Sequence, residues 1–192
     1  MHTLEPFYNW RHLYIASEDE QSPFYERTYS EFEFTNQIYN YLIHPQWDYF
    51  GSDTLYLKIL YVNYVENFSI IELIGEWNDL LYNDIMFLKR NVVEYLQSAG
   101  INKFIFIGEN VLVFHSDDDS YYEEWFDEVE GGWIAFVNFR EHVIRDFIEA
   151  HLDYYIMLGG KLNSIPWRKF SPTQFYHIVN NHITKQLPTN LT

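Results

Sequence analysis

The stretch from Thr54 to Ile107 does most to limit the fold. TLYLKILYVNY (54–64) and FSIIELIG (68–75) are β-branched and aromatic runs separated only by VEN, the spacing of a β-hairpin. Behind them, NDIMFLKRNVVEYLQSAG (83–100) sets Ile85, Leu88, Val92, Leu96 and Ala99 at intervals of three and four, an apolar helical stripe. Asn83 or Asp84 can cap its start, and Gly100 stands where a helix ends in a left-handed residue. KFIFI (103–107) is apolar without alternation, as a strand covered on both faces is.

Beyond it, GEN (108–110) interrupts and VLVF (111–114) resumes. WIAFVNF (133–139) reads as another buried strand. REHVIRDFIEAHL (140–152) reads as a helix with Val143, Phe147 and Ile148 on one side, and YYIML (154–158) as a last strand. Ser171-Pro172-Thr173-Gln174 is a helix start, with Phe175, Ile178, Val179, His182 and Ile183 as the apolar face behind it. Ahead of the hairpin, HLYIAS (12–17) and the later part of FEFTNQIYNYLI (32–43) read as strands. The fold class is therefore α/β (α+β): a mixed sheet with a leading hairpin and helices mainly on one face, plus N-terminal strands and a C-terminal helix. The expected organisation is one domain over 1–160, with an extended segment 1–53 and a core at 54–158. A basic arm follows over 161–192, with a helix near 172–185.

Charge supports that division. The net charge is −16, but residues 161–192 hold Lys161, Arg168, Lys169 and Lys185 and no acid, +4. Subtracting those four from the 12 basic residues leaves 8 against 28 acids, −20, for the first 160. A body so acidic repels phosphate backbones, which argues against nucleic acid; the basic arm is expected to lie on it, in cis or on a second copy. Cysteine is absent, which removes disulfides, thiolate metal sites and a cysteine nucleophile. No apolar run approaches the length of a membrane span, and no secretory signal is evident at the N-terminus. A cytoplasmic location, no membrane partner and no cofactor are expected. Aromatic residues make up 20% of the chain, mostly at strand or helix spacing, where core packing is the default.

Chemistry is sparse. Eight carboxylates lie between Asp117 and Glu130 with no basic residue among them. As a twelve-residue calcium loop the stretch fails in its middle: from Asp117, Tyr121 falls on a ligand position and Tyr122 where a sharp turn needs glycine. Ser120-Tyr-Tyr-Glu123 matches a capping box instead, so a capped, solvated helix with Trp125 and one of the two tyrosines turned inward is expected. The remaining candidates are strand-end residues, where ligands gather in open α/β sheets. Asp79, His115 and Asp117 are candidate catalytic residues; Glu76, Trp77, Ser116 and Asp119 are candidate binding residues. No HExxH, Walker, G-x-G-x-x-G or G-x-S-x-G pattern occurs, and no confident metal set emerges.

The order of elements over about Leu55 to Leu158 resembles the STAS domain of anti-sigma factor antagonists. IIELIGEWND looks like that family's strand and Gly-x-x-Asp turn, with one extra residue before its Asp. KFIFIGENVLVFHSDDDS sits where the family has an apolar strand leading to an Asp-Ser phosphoacceptor loop. Here that loop reads His115-Ser116-Asp117, without the Asp-Ser-Ser-Gly signature. The resemblance implies a STAS-like topology, a non-enzymatic regulatory role through a protein partner or homo-oligomer, and Ser116 as the phosphoacceptor candidate. A phosphate there would meet three adjacent aspartates. The competing expectation is a metal-dependent or acid/base hydrolase using the strand-end carboxylates and His115.

Overall fold

The computed structural model describes residues 4–186. A hairpin of two-residue strands, β1 (Gln37–Ile38) and β2 (Tyr41–Leu42), precedes the main sheet. The predicted strand at 12–17 does not form. Residues 8–18 instead close short turns, with Leu13 N–H donating to Trp10 O and Glu18 N–H to Ile15 O. Those turns bury Trp10 and Ala16, leave Leu13 and Ile15 in solvent, and take up backbone hydrogen bonds within the segment rather than in a ladder with another strand.

β3 (Leu55–Asn63) and β4 (Phe68–Asn78) form the expected antiparallel hairpin. β5 (Lys103–His115) and β6 (Trp133–Val137) add in parallel, giving the order β3-β4-β5-β6. β5 runs through GEN without ending there, but the expected interruption survives as a register shift against β4, and pairing with β6 stops at Ile107. Gly108 lies inside the strand because a Cβ there would sit 2.3 Å from the ring of Phe139; the glycine admits that ring rather than making a turn. YYIML contributes one bridge, Met157 to Ala135, and no strand.

After β4 the chain makes the short helix α1 (Asp79–Tyr82), then α2 (Asp84–Leu88), a π-helical turn (Lys89–Val93) and α3 (Glu94–Ser98). The predicted stripe is present, with Ile85, Leu88, Val92 and Leu96 buried, but the wide turn also brings Lys89 and Val93 inside. Neither Asn83 nor Asp84 caps α2 with its side chain; Asp79 Oδ1 takes the Ile85 N–H at 2.8 Å. The far end closes as expected. Gly100 has φ +91°, its N–H reaches Gln97 O, and the Ile101 N–H reaches Leu96 O, a Schellman closure.

α4 (Ser120–Glu128), α5 (Glu141–Glu149) and α6 (Pro172–Gln186) complete the helices used below. In α5, Val143 and Phe147 are buried but Ile148 is exposed, one step round the helix from Phe147. On one face of the sheet, Leu57, Ile71, Leu73, Phe104, Phe106 and Phe136 pack with α2, α3, α4 and α5. On the other, Leu60, Phe68, Ile70, Ile105, Ile107 and Val137 meet Leu162, Ile165, Trp167 and the Phe175–Val179–Ile183 stripe of α6. Cover on both faces explains why the strands read as continuous apolar runs. The basic C-terminal segment thus docks in cis; residues 187–192 of the predicted arm lie outside the described residues. A third cluster, Ile38, Ile43, Trp47, Tyr56 and Ile74, pins the N-terminal hairpin to the sheet edge.

Candidate functional site

β4 and β5 end side by side, with Asn78 opposite His115, so the strand-end candidates gather on one rim. Burial then separates them. Trp77 is packed among Phe114, Tyr122, Phe136 and Phe147. Its indole N–H donates to Asp79 Oδ1 at 3.0 Å, and Tyr122 OH donates to Asp79 Oδ2 at 2.6 Å. With the Ile85 N–H, three donors surround one interior carboxyl. Burial pushes Asp79 up to about 7 against the pull of those donors. Asp84, also buried, accepts from Asn78 N–H at 2.7 Å and Thr54 Oγ1 at 3.2 Å, while its Oδ1 is left without a partner. Burial raises its pKa too.

The remaining rim candidates face water. His115, Ser116 and Asp117 are exposed. His115 and Ser116 line a shallow hollow of about 460 Å³ with Leu80, Phe114, Asp146 and Glu149. Asp119, half-buried, accepts from Tyr155 OH at 2.9 Å. Glu76 accepts from Tyr39 OH at 2.8 Å, which ties the rim to the N-terminal hairpin and raises the Tyr39 pKa. The structure therefore brings His115 and Ser116 together, and sets Asp79 in the interior behind them.

The acidic stretch has partners that its own sequence does not contain. Ser120 lies in the first turn of α4 rather than before it, and Asp118 Oδ1 takes both its N–H and its hydroxyl, so the predicted capping box does not form. The competing acceptor is the Asp two residues upstream, an Asx-type turn. Tyr122 and Trp125 turn inward as expected. Glu124 and Glu128 converge with Glu94 at a spacing that suits a metal ion. The Lys89 ammonium, on the π turn, already fills that position at 3.1, 3.1 and 2.8 Å from Glu94, Glu124 and Glu128. Arg90 pairs with Glu94 and Glu124 beside it.

Sequence reasoning missed a second polar site, on the α6 face of the sheet. Lys58 and Glu72 are opposite each other on β3 and β4, and Glu109 follows on β5. Glu109 Oε1 accepts from Trp167 Nε1 at 2.9 Å and Asn138 Nδ2 at 3.1 Å, and its Oε2 lies 2.5 Å from Arg168 Nη1. Glu72 accepts the Phe7 N–H at 2.9 Å, and burial pushes its carboxyl up to about 7. Lys58 reaches Asp48 at 3.0 Å and lies over the Tyr29 ring; Arg27 and Tyr29 OH share the same buried aspartate. Burial lowers the Lys58 pKa. The signal was in view: one charge inside each apolar strand, in LYLKIL, SIIELIG and FIGENVLVF.

No protein-family model matches this chain, and neither a curated protein nor a solved structure matches it. Among the described residues no helix is long and apolar enough to cross a membrane.

Proposed function

We propose that this protein is a non-enzymatic, protein-binding regulatory module that presents its strand-end rim to a partner with a basic surface. The observation that carries the reading is α1. Leu80, Leu81 and Tyr82 are 59%, 72% and 38% exposed, consecutively, on a one-turn helix whose only buried residue is Asp79. Three large apolar side chains held in water, with Asp146 and Glu149 in the hollow that Leu80 lines, have the composition of a binding patch with a charged rim. The charge favours a basic partner and gives its capture a steep salt dependence. A STAS-like regulatory role through Ser116 belongs to the same reading, since Ser116 and Leu80 share one hollow. The hydrolase alternative draws less support, because Asp79 is buried with both oxygens engaged while His115 and Asp117 are exposed.

The test replaces Leu80 and Leu81 together by Ser, with melting checked to show that the fold is retained. The immobilised wild-type chain is expected to hold a saturable partner from an extract of its native cell, and to lose it at high salt or in the double variant. A second copy as partner would appear as a doubled mass in solution. Equal capture by wild type and variant, with equal mass, would sink the reading.

A further inference from the structure

The α6 face holds a cavity whose chemistry calls for a ligand unrelated to the rim. Residues 4–9 cross the polar half of that face and leave about 260 Å³ between themselves, Glu72 and Arg168. Glu72 is only 2% exposed, and its two oxygens are unequally engaged. Oε2 accepts the Phe7 N–H at 2.9 Å. Oε1 has only Arg168 Nη2, 3.8 Å away and beyond hydrogen-bonding distance.

The neighbouring cations have other partners. Arg168 is held by Glu109 at 2.5 Å. Arg11 lies 3.5 Å from Glu5, the second acid in the wall. Lys58, directly across the strand from Glu72, sends its ammonium to Asp48 and over the Tyr29 ring. One oxygen of a buried carboxylate therefore faces a cavity without a donor of its own. That oxygen keeps a side open to the cavity, with only the longer ion pair to Arg168, and a charged donor serves a carboxylate better than a neutral one. The other walls are Leu4, Pro6, Phe7, Tyr8 and Asn9, which offer apolar contact, ring faces and one side-chain amide.

We propose that this cavity binds a small primary amine, its ammonium donating to Glu72 Oε1 and its carbon skeleton lying against Leu4, Pro6 and Tyr8. A metal ion fits poorly, since it needs several oxygens and the floor supplies one with a free side. An alcohol of the same shape supplies a donor without the charge. Because Phe7 hangs on the other oxygen of the same carboxylate, a bound amine also fastens residues 4–9 to the sheet.

The experiment uses the full chain and named probes: n-butylammonium and benzylammonium against n-butanol, butyrate and matched potassium chloride. Isothermal titration and melting are the readouts. The ammonium probes are expected to bind at millimolar concentration and raise the melting temperature, while butanol, butyrate and salt do not. Glu72→Gln should weaken binding at least about tenfold. Should that variant fail to fold, Leu4→Arg at the exposed mouth should do the same by placing a fixed cation there. Wild type that ignores both amines, or takes butanol equally well, overturns the proposal. So does binding that neither variant weakens.

Discussion

The face of the sheet under α2–α5 and the face under α6 are built from the same four strands but closed differently. The first is lined by Leu57, Ile71, Leu73, Phe104, Phe106 and Phe136, and its polar groups, Asp79 and Asp84, lie at its edge. The second is apolar only where α6 covers it. Beyond Leu60, Ile70 and Ile107 it turns to Lys58, Glu72 and Glu109, roofed by irregular segments near residues 4–11 and 165–170. Regular helices bury apolar rows efficiently; a roof of irregular chain brings free N–H groups and indoles that can satisfy charges. The difference separates a face that sets stability from one that can also hold a ligand.

Truncating the dry face tests this most severely. Phe106→Ala should cost about 3–5 kcal/mol by denaturant titration. If it costs no more than Glu72→Ala, the two faces are not distinct in the way described. The second test is pH. Glu72 and Asp79 each bind a proton more tightly folded than unfolded, since burial raises both to about 7. Their contribution is full below about pH 4 and is lost as pH rises through 7. Wild-type stability should fall over that window by up to a few kcal/mol. Glu72→Gln should remove its own share and leave that of Asp79; an unchanged slope would show that Glu72 is ionised throughout. Tyr122→Phe strips one donor from Asp79 and should cost about 1–3 kcal/mol, which a chemical melt resolves.

The smallest effect sharpens the comparison at helix starts. Two predicted helix starts carry the capping-box pattern, Ser120–Glu123 and Ser171–Gln174. The second forms reciprocally: Gln174 N–H donates to Ser171 Oγ at 3.3 Å and Ser171 N–H to Gln174 Oε1 at 3.1 Å. Ser171→Ala should therefore cost about 1 kcal/mol and Ser120→Ala less than about half that. Equal losses would mean that Asp118 does not take over Ser120.

That pair also shows what a sequence can disclose. Period and spacing were enough for the β3–β4 hairpin, the Ile85–Leu96 stripe, the Gly100 closure and α6, because each depends on neighbours within a few residues. A local competitor defeated the motif at Ser120, while the interruption read at GEN proved to be a register shift inside one strand. The π turn left no periodic mark: the apolar stripe through Val92 reads the same with Lys89 inside or out. The Glu72 site was hardest to foresee, since its lid, floor and counter-ions come from Phe7, β4, β5 and Arg168. Only the oddity of single charges in apolar strands pointed to it. The rim residues His115 and Ser116 were found by position alone, since strand ends converge whatever the side chains.

The hydrogen bond from Trp10 Nε1 to Phe170 O, at 3.2 Å, spans 160 positions of sequence. Trp10 also meets Trp167 and Phe175 ring to ring. This has a consequence for the order of events during synthesis. The β3–β6 sheet and its α2–α5 cover, which includes Leu152 and Ile156, are complete once Ile156 has left the ribosome, but the opposite face lacks the α6 part of its lid until Phe175 and the residues after it emerge. For that interval Phe68, Ile70, Ile105 and Ile107 lack their α6 cover, and the finished N-terminal segment has Trp167 but not yet Phe175 to close against. Long-range closure of this kind is slow and exposes apolar surface while it is pending. A chain halted before Phe175 should be a target for chaperones rather than a smaller version of the same protein.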